Sequence, residues 1–336
     1  MNERINWIDS GKAITVMIVV FCHLPQSQEW FYYRYLQACI ITIFFFLSGF
    51  LKKDRGSDKE NWRKYWHGLI LPYIIYNALV YPYWLVKYYM LNGGMPDFFS
   101  ALKPIIGALL FEHESSFTEP LNGPLWYIPA ILFMHVTIDL CRKTIYFHQI
   151  MIGLCILSFF LYAANKYWLF LPQLTPMGIF RRLPYYYIGY VTGRTALFNK
   201  TSLHKDILGF ACLIPFSIFF FYLHLHEERI LPHVFLFYPV NLCFLFGFIY
   251  GCKLISIYKS DIIVNISIGT LLIIGLHFPI IGIINHLIDK SCYQWYEALP
   301  ITLLIITGLF PLILFTKHHI PILVGKYSSS WNRLKE

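Results

Sequence analysis

The chain has 336 residues, of which 57% are hydrophobic and 13% are charged, and its formal net charge is +9. Soluble domains contain about 45–50% apolar and about 25% charged residues, so this composition excludes a soluble enzyme, a disordered protein and a coiled coil. It predicts a polytopic membrane protein whose basic residues lie in short loops, and no nucleic-acid partner is expected.

Ten apolar runs along the chain are each interpreted as a transmembrane helix, because only self-satisfied backbones cross lipid. The runs are 12–31, 34–51, 67–90, 123–140, 150–164, 180–197, 207–224, 232–251, 262–284 and 298–316. No internal repeat and no linker rich in Pro, Gly or Ser divides them. We therefore predict an all-α protein with one membrane domain over residues 1–336.

The loops that share a side with the N-terminus carry most of the 27 Lys and Arg residues. Cytoplasmic loops are enriched in these residues, so both termini are predicted to be cytoplasmic. The run 150–164 is short. If it did not span, every later segment would be inverted and the charge bias would weaken.

One outer connection, residues 91–122, is unusually long. It contains an amphipathic piece, Phe98 to Phe111, and then the acidic sequence EHESSFTEP at 112–120. Long loops are often functional, but an amphipathic helix also lies readily on a membrane surface. Both interpretations stay open from the sequence.

The first run contains the sharpest pair of polar residues. Lys12 and His23 are eleven residues apart, which is three helical turns plus about 20°, so they share a face about 16 Å apart. Lys12 would bind an anion at the inner mouth, and His23 would remove a proton near mid-membrane. The alternative is a lysine that extends to the interface and a histidine bonded to a neighbouring helix. Cys22 points about 100° away, and Asp9 is expected to pair with Lys12 or to cap the helix.

Four further residues are candidates for acceptor binding. Arg181 and Arg182 open the sixth run at the outer face, where arginine binds sugars and phosphates or simply anchors a helix. His277 lies past the middle of the ninth run and would contact an acceptor or a neighbouring helix. Trp126 would line a sugar cleft or belong to an interfacial aromatic belt. No metal is expected, and no GxSxG elbow or Gly-rich phosphate loop occurs.

Several segments resemble, in order, those of the acyltransferase 3 family of integral membrane acyltransferases. WIDSGKAITVMIVVFCH (7–23) and IFFFLSGFL (43–51) resemble its opening, a basic residue, ten residues and His, followed by FFxxSG. The later matches are HGLILPY (67–73), NGPLWYIPAILF (122–133), RRLPYYYIGYVTGR (181–194) and LLIIGLHFPI (271–280). Within the family, the chain resembles the fucose-4-O-acetylase-like sugar acetyltransferases.

The resemblance implies a multi-pass enzyme of a bacterial cytoplasmic (inner) membrane. It would move an acetyl group from cytoplasmic acetyl-CoA to a hydroxyl of a sugar in an envelope polysaccharide or its precursor. The family's functional pair maps onto Lys12 and His23, with His23 as the catalytic base. Basic residues before the LIPY segment are also implicated in the family, and Gly68 stands near the place of the usual arginine. By this resemblance Arg63 and Lys64 are predicted donor ligands, and which of Arg63, Lys64 or His67 has the family role stays open from the sequence. A fused SGNH-hydrolase-like domain is not expected.

Two other functions are compatible with a polytopic chain. One is a transporter or flippase of a lipid-linked sugar, and the other is a passive partner subunit. Transporters tend to show internal repeats, which this sequence lacks, and a passive subunit has no need of aligned Lys12 and His23. The identity of the acceptor, the acyl chain length and the oligomeric state stay open.

Overall fold

The computed structural model describes residues 5–53, 57–111, 121–168, 175–195, 197–198, 202–258 and 260–326. These residues form helices and connections without any strand. The helices are α1 (Asn6–His23), α2 (Phe31–Leu51), α3 (Asp58–Tyr65), α4 (Leu71–Asn92), α5 (Phe98–Leu109), α6 (Tyr127–Cys141), α7 (Phe147–Trp168), α8 (Thr175–Thr192), α9 (Leu203–His226), α10 (Ile230–Ile255), α11 (Asp261–Ile268), α12 (Thr270–Ile288) and α13 (Trp295–His319). A π-helical segment, Trp66–Ile70, joins α3 to α4, and 3-10 turns at Gly123–Trp126 and Pro321–Val324 precede α6 and follow α13.

The prediction of an all-α polytopic membrane protein is confirmed. Within the described ranges, eight stretches are long and apolar enough to cross a membrane. They are Phe31–Leu51, Asp58–Asn92, Gly123–Cys141, Phe147–Asn165, Leu203–His226, Ile230–Ile255, Thr270–Ile288 and Trp295–His319. The short run 150–164 belongs to α7, which has 22 residues. Each of the ten predicted runs overlaps a helix.

Helices α1 and α8 are predicted runs that fall outside those eight stretches. Helix α1 packs against α2, α10, α11, α12 and α13, and α8 packs against α2, α6 and α7. A helix enclosed by other helices can be less apolar, because protein rather than lipid surrounds its polar residues. The two helices that carry Lys12, Arg181 and Arg182 therefore lie inside the bundle.

The first helix ends at His23 and does not continue to residue 31 as predicted. Pro25 explains the difference, since the residue before a proline avoids the helical conformation and Leu24 is extended, with ψ 130°. The Tyr33 hydroxyl donates to the Cys22 carbonyl (3.0 Å), and the Tyr293 N–H donates to the Pro25 carbonyl (2.7 Å). These bonds hold the connection 24–30 against α2 and against the segment between α12 and α13.

Helix α5 runs antiparallel beside α4. The Tyr81 hydroxyl donates to the Ala101 carbonyl at 3.0 Å, and the Tyr73 hydroxyl donates to the Ala108 carbonyl at 2.7 Å. The two bonds are separated by eight residues in α4 and by seven residues in α5, which is about 10–12 Å along each helix axis. The interpretation of α5 as a helix flat on the outer surface is therefore wrong. The acidic sequence 112–120 lies outside the described residues.

The start of α6 lies deep in the bundle. Tyr127 packs against Phe44 and Phe45, with ring centroids 5.4 Å and 5.3 Å apart. Phe44 lies thirteen residues into α2, about 20 Å from its first residue by helical rise. The side chain of Asn122 donates to the Gly275 carbonyl of α12 at 2.8 Å. The described residues just before α6 therefore lie against α12.

Glycines bring α8 unusually close to α2. A Cβ at Gly189 would lie 2.1 Å from the Phe46 carbonyl oxygen, and one at Gly193 would lie 2.3 Å from the Phe50 carbonyl oxygen. Small residues four apart permit such backbone contact between membrane helices. This contact positions the face of α8 that carries Arg182.

The π-helical segment meets the C-terminal turn of the described chain. Pro72 has no N–H to bond the Gly68 carbonyl four residues earlier, which favours the wider π geometry there. The Gly68 carbonyl faces Gly325, where a Cβ would lie 3.3 Å from that oxygen. Gly325 has φ +69°, a conformation that favours glycine. The Tyr76 hydroxyl donates to the Leu323 carbonyl at 2.5 Å and fixes this turn beneath α4.

Candidate active site

A cavity of about 600 Å³ lies beside the N-terminal half of α1. Its walls come from α1, α2, Tyr127 at the start of α6, α11, α12, the π-helical segment and the C-terminal turn. Lys12 and Lys326 supply two cations, and Asp9 supplies a carboxylate. Such a volume is typical of small-molecule and cofactor sites. The cavity therefore combines the volume of a small-molecule site with two cationic side chains.

Asp9 attaches α1 to α11. Its Oδ1 accepts a 2.7 Å hydrogen bond from the Ser267 hydroxyl, and Asp9 is 7% exposed. The N-cap of α1 is Ile5, which makes no side-chain cap bond, so the expected capping role of Asp9 is wrong. Ser267 stands near the break between α11 and α12 at Gly269. Asp9 therefore orients the wall of the cavity.

His23 and His277 use the same hydrogen-bonding pattern. The Nδ1 atom of His23 lies 2.7 Å from the Val19 carbonyl, and that of His277 lies 2.8 Å from the Ile273 carbonyl. A carbonyl only accepts, so each Nδ1 carries the proton and donates. Each neutral ring then has its basic lone pair on Nε2.

The two imidazoles form a pair between α1 and α12. Their ring centroids are 4.8 Å apart, with an interplanar angle of 72°. His277 is fully buried, and its Nε2 has no hydrogen-bond partner in the described part of the chain. His277 lies seven residues into α12, about 10 Å from the start of that helix, so the pair is well inside the bundle.

The histidine pair is adjacent to the deep end of the cavity. Ile274 lines the cavity, and His277 follows it by three residues, just under one helical turn, or about 4.5 Å along α12. Lys12 and His23 both face α12, because Lys12 shares the cavity with α12 residues and His23 contacts His277. The spacing in the sequence predicted this common face. Neither histidine lines the cavity itself.

Arg63 and Lys64, the predicted donor ligands, lie on the exposed side of α3. A capping box between Ser57 and Glu60 begins this helix. The cavity is lined instead by Gly68 and Leu69 of the following segment. The second cation of the cavity is Lys326, which the sequence analysis missed because its approach depends on the turn at Gly325.

Arg182 and Trp126 come together between α8 and α6. The Arg182 guanidinium carbon lies 5.5 Å from the Trp126 ring and 5.9 Å from the Phe45 ring. Arg182 is 7% exposed, and its Nε has no hydrogen-bond partner among the described residues. Arg182 is therefore a cation enclosed by the bundle, which favours a functional role over an interfacial anchor.

Arg181 faces a different group of aromatic residues. It donates to the Tyr162 hydroxyl at 2.7 Å, and its guanidinium carbon lies 4.7 Å from the Tyr162 ring and 5.1 Å from the Phe237 ring. The two neighbouring arginines thus point into separate clusters, one with α6 and one with α7 and α10.

A buried ionic cluster lies at the end of the bundle that contains Lys12. Lys52 follows α2 and pairs with Asp139 of α6 at 2.8 Å, with side-chain exposures of 5% and 13%. Arg142 lies 3.3 Å from the same carboxylate, and the Tyr65 hydroxyl donates to it. The cluster ties α2, α3 and α6 together beside the cavity. Sequence reasoning passed over it, although an aspartate in an apolar run is itself a signal.

These residues supply the two components that transfer from an anionic donor requires. Imidazole Nε2 atoms accept a proton from a hydroxyl, and lysines bind phosphates.

The thiol of Cys22 is 7% exposed, and the carbonyl of that residue accepts from Tyr33. Where side chains are described, no group of three His, Cys, Asp or Glu residues could hold a metal ion.

The chain matches the model of a protein family described as an acyltransferase domain, over residues 5–316. No curated protein and no solved structure matches the chain. The matched region extends from the residue before α1 to Thr316 near the end of α13. It includes both histidines and every helix that lines the cavity. The chain therefore belongs to the acyltransferase 3 family and is a membrane acyltransferase.

Proposed function

We propose that the protein is an O-acetyltransferase that moves acetyl from acetyl-CoA to a sugar hydroxyl across its membrane. The observation that carries this proposal is the position of the paired imidazoles. They lie one helical turn beyond a cavity of about 600 Å³ that contains two lysines. Acetyl-CoA has phosphates at one end and a reactive thioester at the other. Lysines at one end of the cavity and imidazoles beyond its other end match this arrangement.

The donor would bind with its phosphates at Lys12 and Lys326. The lining of the cavity is polar at this end, where Asp9 and Ser267 also lie. Toward Ile274 the lining includes Phe44 and Leu47, which suit an alkyl thioester arm. On the predicted topology this mouth is cytoplasmic, where acetyl-CoA is available. Arg63 and Lys64 would then act only at the surface, in the approach of the donor.

Transfer would proceed by direct attack of the acceptor on the thioester. The Nε2 of His23 takes the proton of the acceptor hydroxyl as the oxygen bonds to the carbonyl carbon. The carbon–sulfur bond then breaks, and the leaving sulfur takes the proton from the imidazolium. General base catalysis of this kind contributes about 10²–10⁴-fold. Enclosure in the bundle would exclude water, which would otherwise hydrolyse the thioester.

The acceptor would approach from the opposite side, through the connection 24–30. Non-helical backbone at depth in a membrane protein is tolerated where protein or a water-filled cavity surrounds it. Trp126 offers an aromatic face, and Arg182 offers hydrogen-bond donors directed into the bundle. Sugars bind to both kinds of group. A sugar of an envelope polysaccharide or its precursor in a bacterial cytoplasmic membrane is the acceptor class that we propose.

A second candidate function is transport of a lipid-linked sugar. Two features favour it: α11 and α12 are interrupted at Gly269, and α5 and α6 are separate pieces of one return into the bundle. Discontinuous helices surround the substrate sites of many transporters. Transport alone, however, gives no role to two imidazoles with free Nε2 lone pairs.

The surface glycans of a deletion strain distinguish the two functions. We expect mass spectrometry to find glycans of unchanged length that lack one acetyl group per repeating unit. Complementation with the wild-type gene should restore the acetyl mass, and His23→Ala at equal membrane abundance should not. Loss of whole glycan units with normal acetylation of the remainder would favour the transporter.

A further inference from the structure

The histidine pair has a hydrogen-bonding requirement that the protein does not itself meet. Both Nδ1 protons go to carbonyls one turn earlier in their own helices, at 2.7 Å and 2.8 Å. Each ring therefore presents Nε2 as an acceptor. The Nε2 of His277 is buried and without a partner among the described residues. An unmet buried acceptor is costly, so the ligand that completes this site must be a donor.

The need for a hydrogen-bond donor at Nε2 of His277 excludes most functional groups of the acyl donor as its partner. A thioester carbonyl and phosphate oxygens only accept hydrogen bonds. Next to His277 their lone pairs would therefore repel the lone pair of Nε2. A neutral hydroxyl is the group that fits, since it donates one proton and keeps two acceptor lone pairs. One hydroxyl serves His23 in the proposed transfer. The ring centroid of His277 lies only 4.8 Å from that of His23, and its Nε2 needs a second hydrogen-bond donor.

We infer that the acceptor presents two neighbouring hydroxyls, a vicinal diol, of which one loses its proton to His23 while the other donates to Nε2 of His277. This inference rests on the proposed function and adds a substrate class to it. His277 touches substrate in this arrangement and selects it, because an acceptor without the second hydroxyl leaves the buried Nε2 unmet. Sites built to bond a hydroxyl discriminate strongly against analogues that lack it.

The effect on specificity has a predictable size. The wild-type protein should use an acceptor that lacks the neighbouring hydroxyl with a kcat/KM about tenfold to a hundredfold lower, the range expected for an unmet buried polar group. In His277→Phe this penalty should disappear, because phenylalanine has no lone pair to satisfy. The loss of discrimination, rather than loss of activity, is what identifies the contact.

The experiment uses the full chain in nanodiscs with radiolabelled acetyl-CoA and a panel of methyl glycosides. The acetylated hydroxyl of the best glycoside is located by NMR, and its analogue without the adjacent hydroxyl is then compared in wild type and in His277→Phe. His286→Phe, which changes the other histidine of α12, is the matched control and should keep the full penalty. His277→Gln, whose amide oxygen accepts, provides a second variant that should retain part of it.

Three results would overturn the inference. An equal kcat/KM for diol and deoxy acceptors in the wild type would show that no second hydroxyl is bound. A deoxy penalty that persists in His277→Phe would assign the second hydroxyl to another residue. A rise only in the KM for acetyl-CoA in His277→Phe would place an amide N–H of the donor at Nε2. Failure to acetylate any glycoside, in contrast, would contradict the proposed function itself.

Discussion

Replacement of Lys12 should weaken donor binding while it leaves the chemical step nearly unchanged. Lys12 lines the cavity, and His23 lies eleven residues further along the same helix, about 16 Å away by helical rise. At an effective dielectric of about 20, one charge acts over 16 Å with about 1 kcal/mol at most. The kcat of Lys12→Ala should therefore change less than about fivefold.

The same charge is worth more to a phosphate in contact with it. A hydrogen bond to a charged group contributes about 1.5–3 kcal/mol, so Lys12→Ala should raise the Kd for acetyl-CoA about tenfold to 150-fold. Lys12→Arg keeps the charge and should recover part of this loss. Lys87→Ala removes an exposed lysine of α4 and serves as the control, with no change in Kd.

Equilibrium binding of radiolabelled acetyl-CoA to purified, monodisperse variants measures the effect without assuming that KM equals Kd. Single-turnover rates at saturating donor then report the chemical step. Unchanged donor binding in Lys12→Ala, together with a hundredfold fall in the chemical rate, would refute the placement of the donor phosphates at this lysine.

Three further predictions concern the frame around the site. Gly189→Ala places a Cβ 2.1 Å from the Phe46 carbonyl oxygen, so α2 and α8 must separate at a cost of about 1–3 kcal/mol in the free energy of unfolding; Gly153→Ala meets nothing within 4 Å and should not lower it. Asp139→Asn removes the carboxylate that pairs with the buried Lys52 charge and should lower that free energy by about 3–5 kcal/mol, while Asp58→Asn, in the exposed pair with Lys143, should lower it by less than about 1 kcal/mol; equal losses would contradict the assignment. Lys290 donates to Glu297 at 2.6 Å in a half-exposed ion pair, so Glu297→Gln should lower the melting temperature only slightly, and added salt should shrink the difference from wild type; a difference that does not change with salt would show that the ion pair does not account for it.

The sequence predicted the features that depend on local periodicity. Apolar runs of about 20 residues become helices, because an unpaired backbone is too costly in lipid. The eleven-residue spacing of Lys12 and His23 predicted a shared face, because helical pitch is nearly constant. The position of His277 on a helix that contacts His23 could not be predicted in this way, since it depends on which two helices pack.

The differences arise where one residue or one long-range contact overrides the pattern. Pro25 ends α1 at His23, although the predicted run extends to residue 31. Two tyrosine hydroxyls direct α5 along α4, and no periodicity encodes such partners. Lys326 reaches the cavity only because Gly325 adopts a positive φ beside the Gly68 carbonyl. Hydrophobic patterning contains no record of contacts between residues more than 250 positions apart.

The central claim, that His23 drives acyl transfer between the two faces of the membrane, is tested most directly in proteoliposomes of fixed orientation. Radiolabelled acetyl-CoA is supplied on the side of Lys12, and a methyl glycoside is supplied on the other side. The account predicts that free CoA appears on the first side in equal amount to acetylated glycoside on the second, and that His23→Ala lowers both rates about 10²–10⁴-fold with donor binding intact. Near-normal transfer by correctly folded His23→Ala would contradict it.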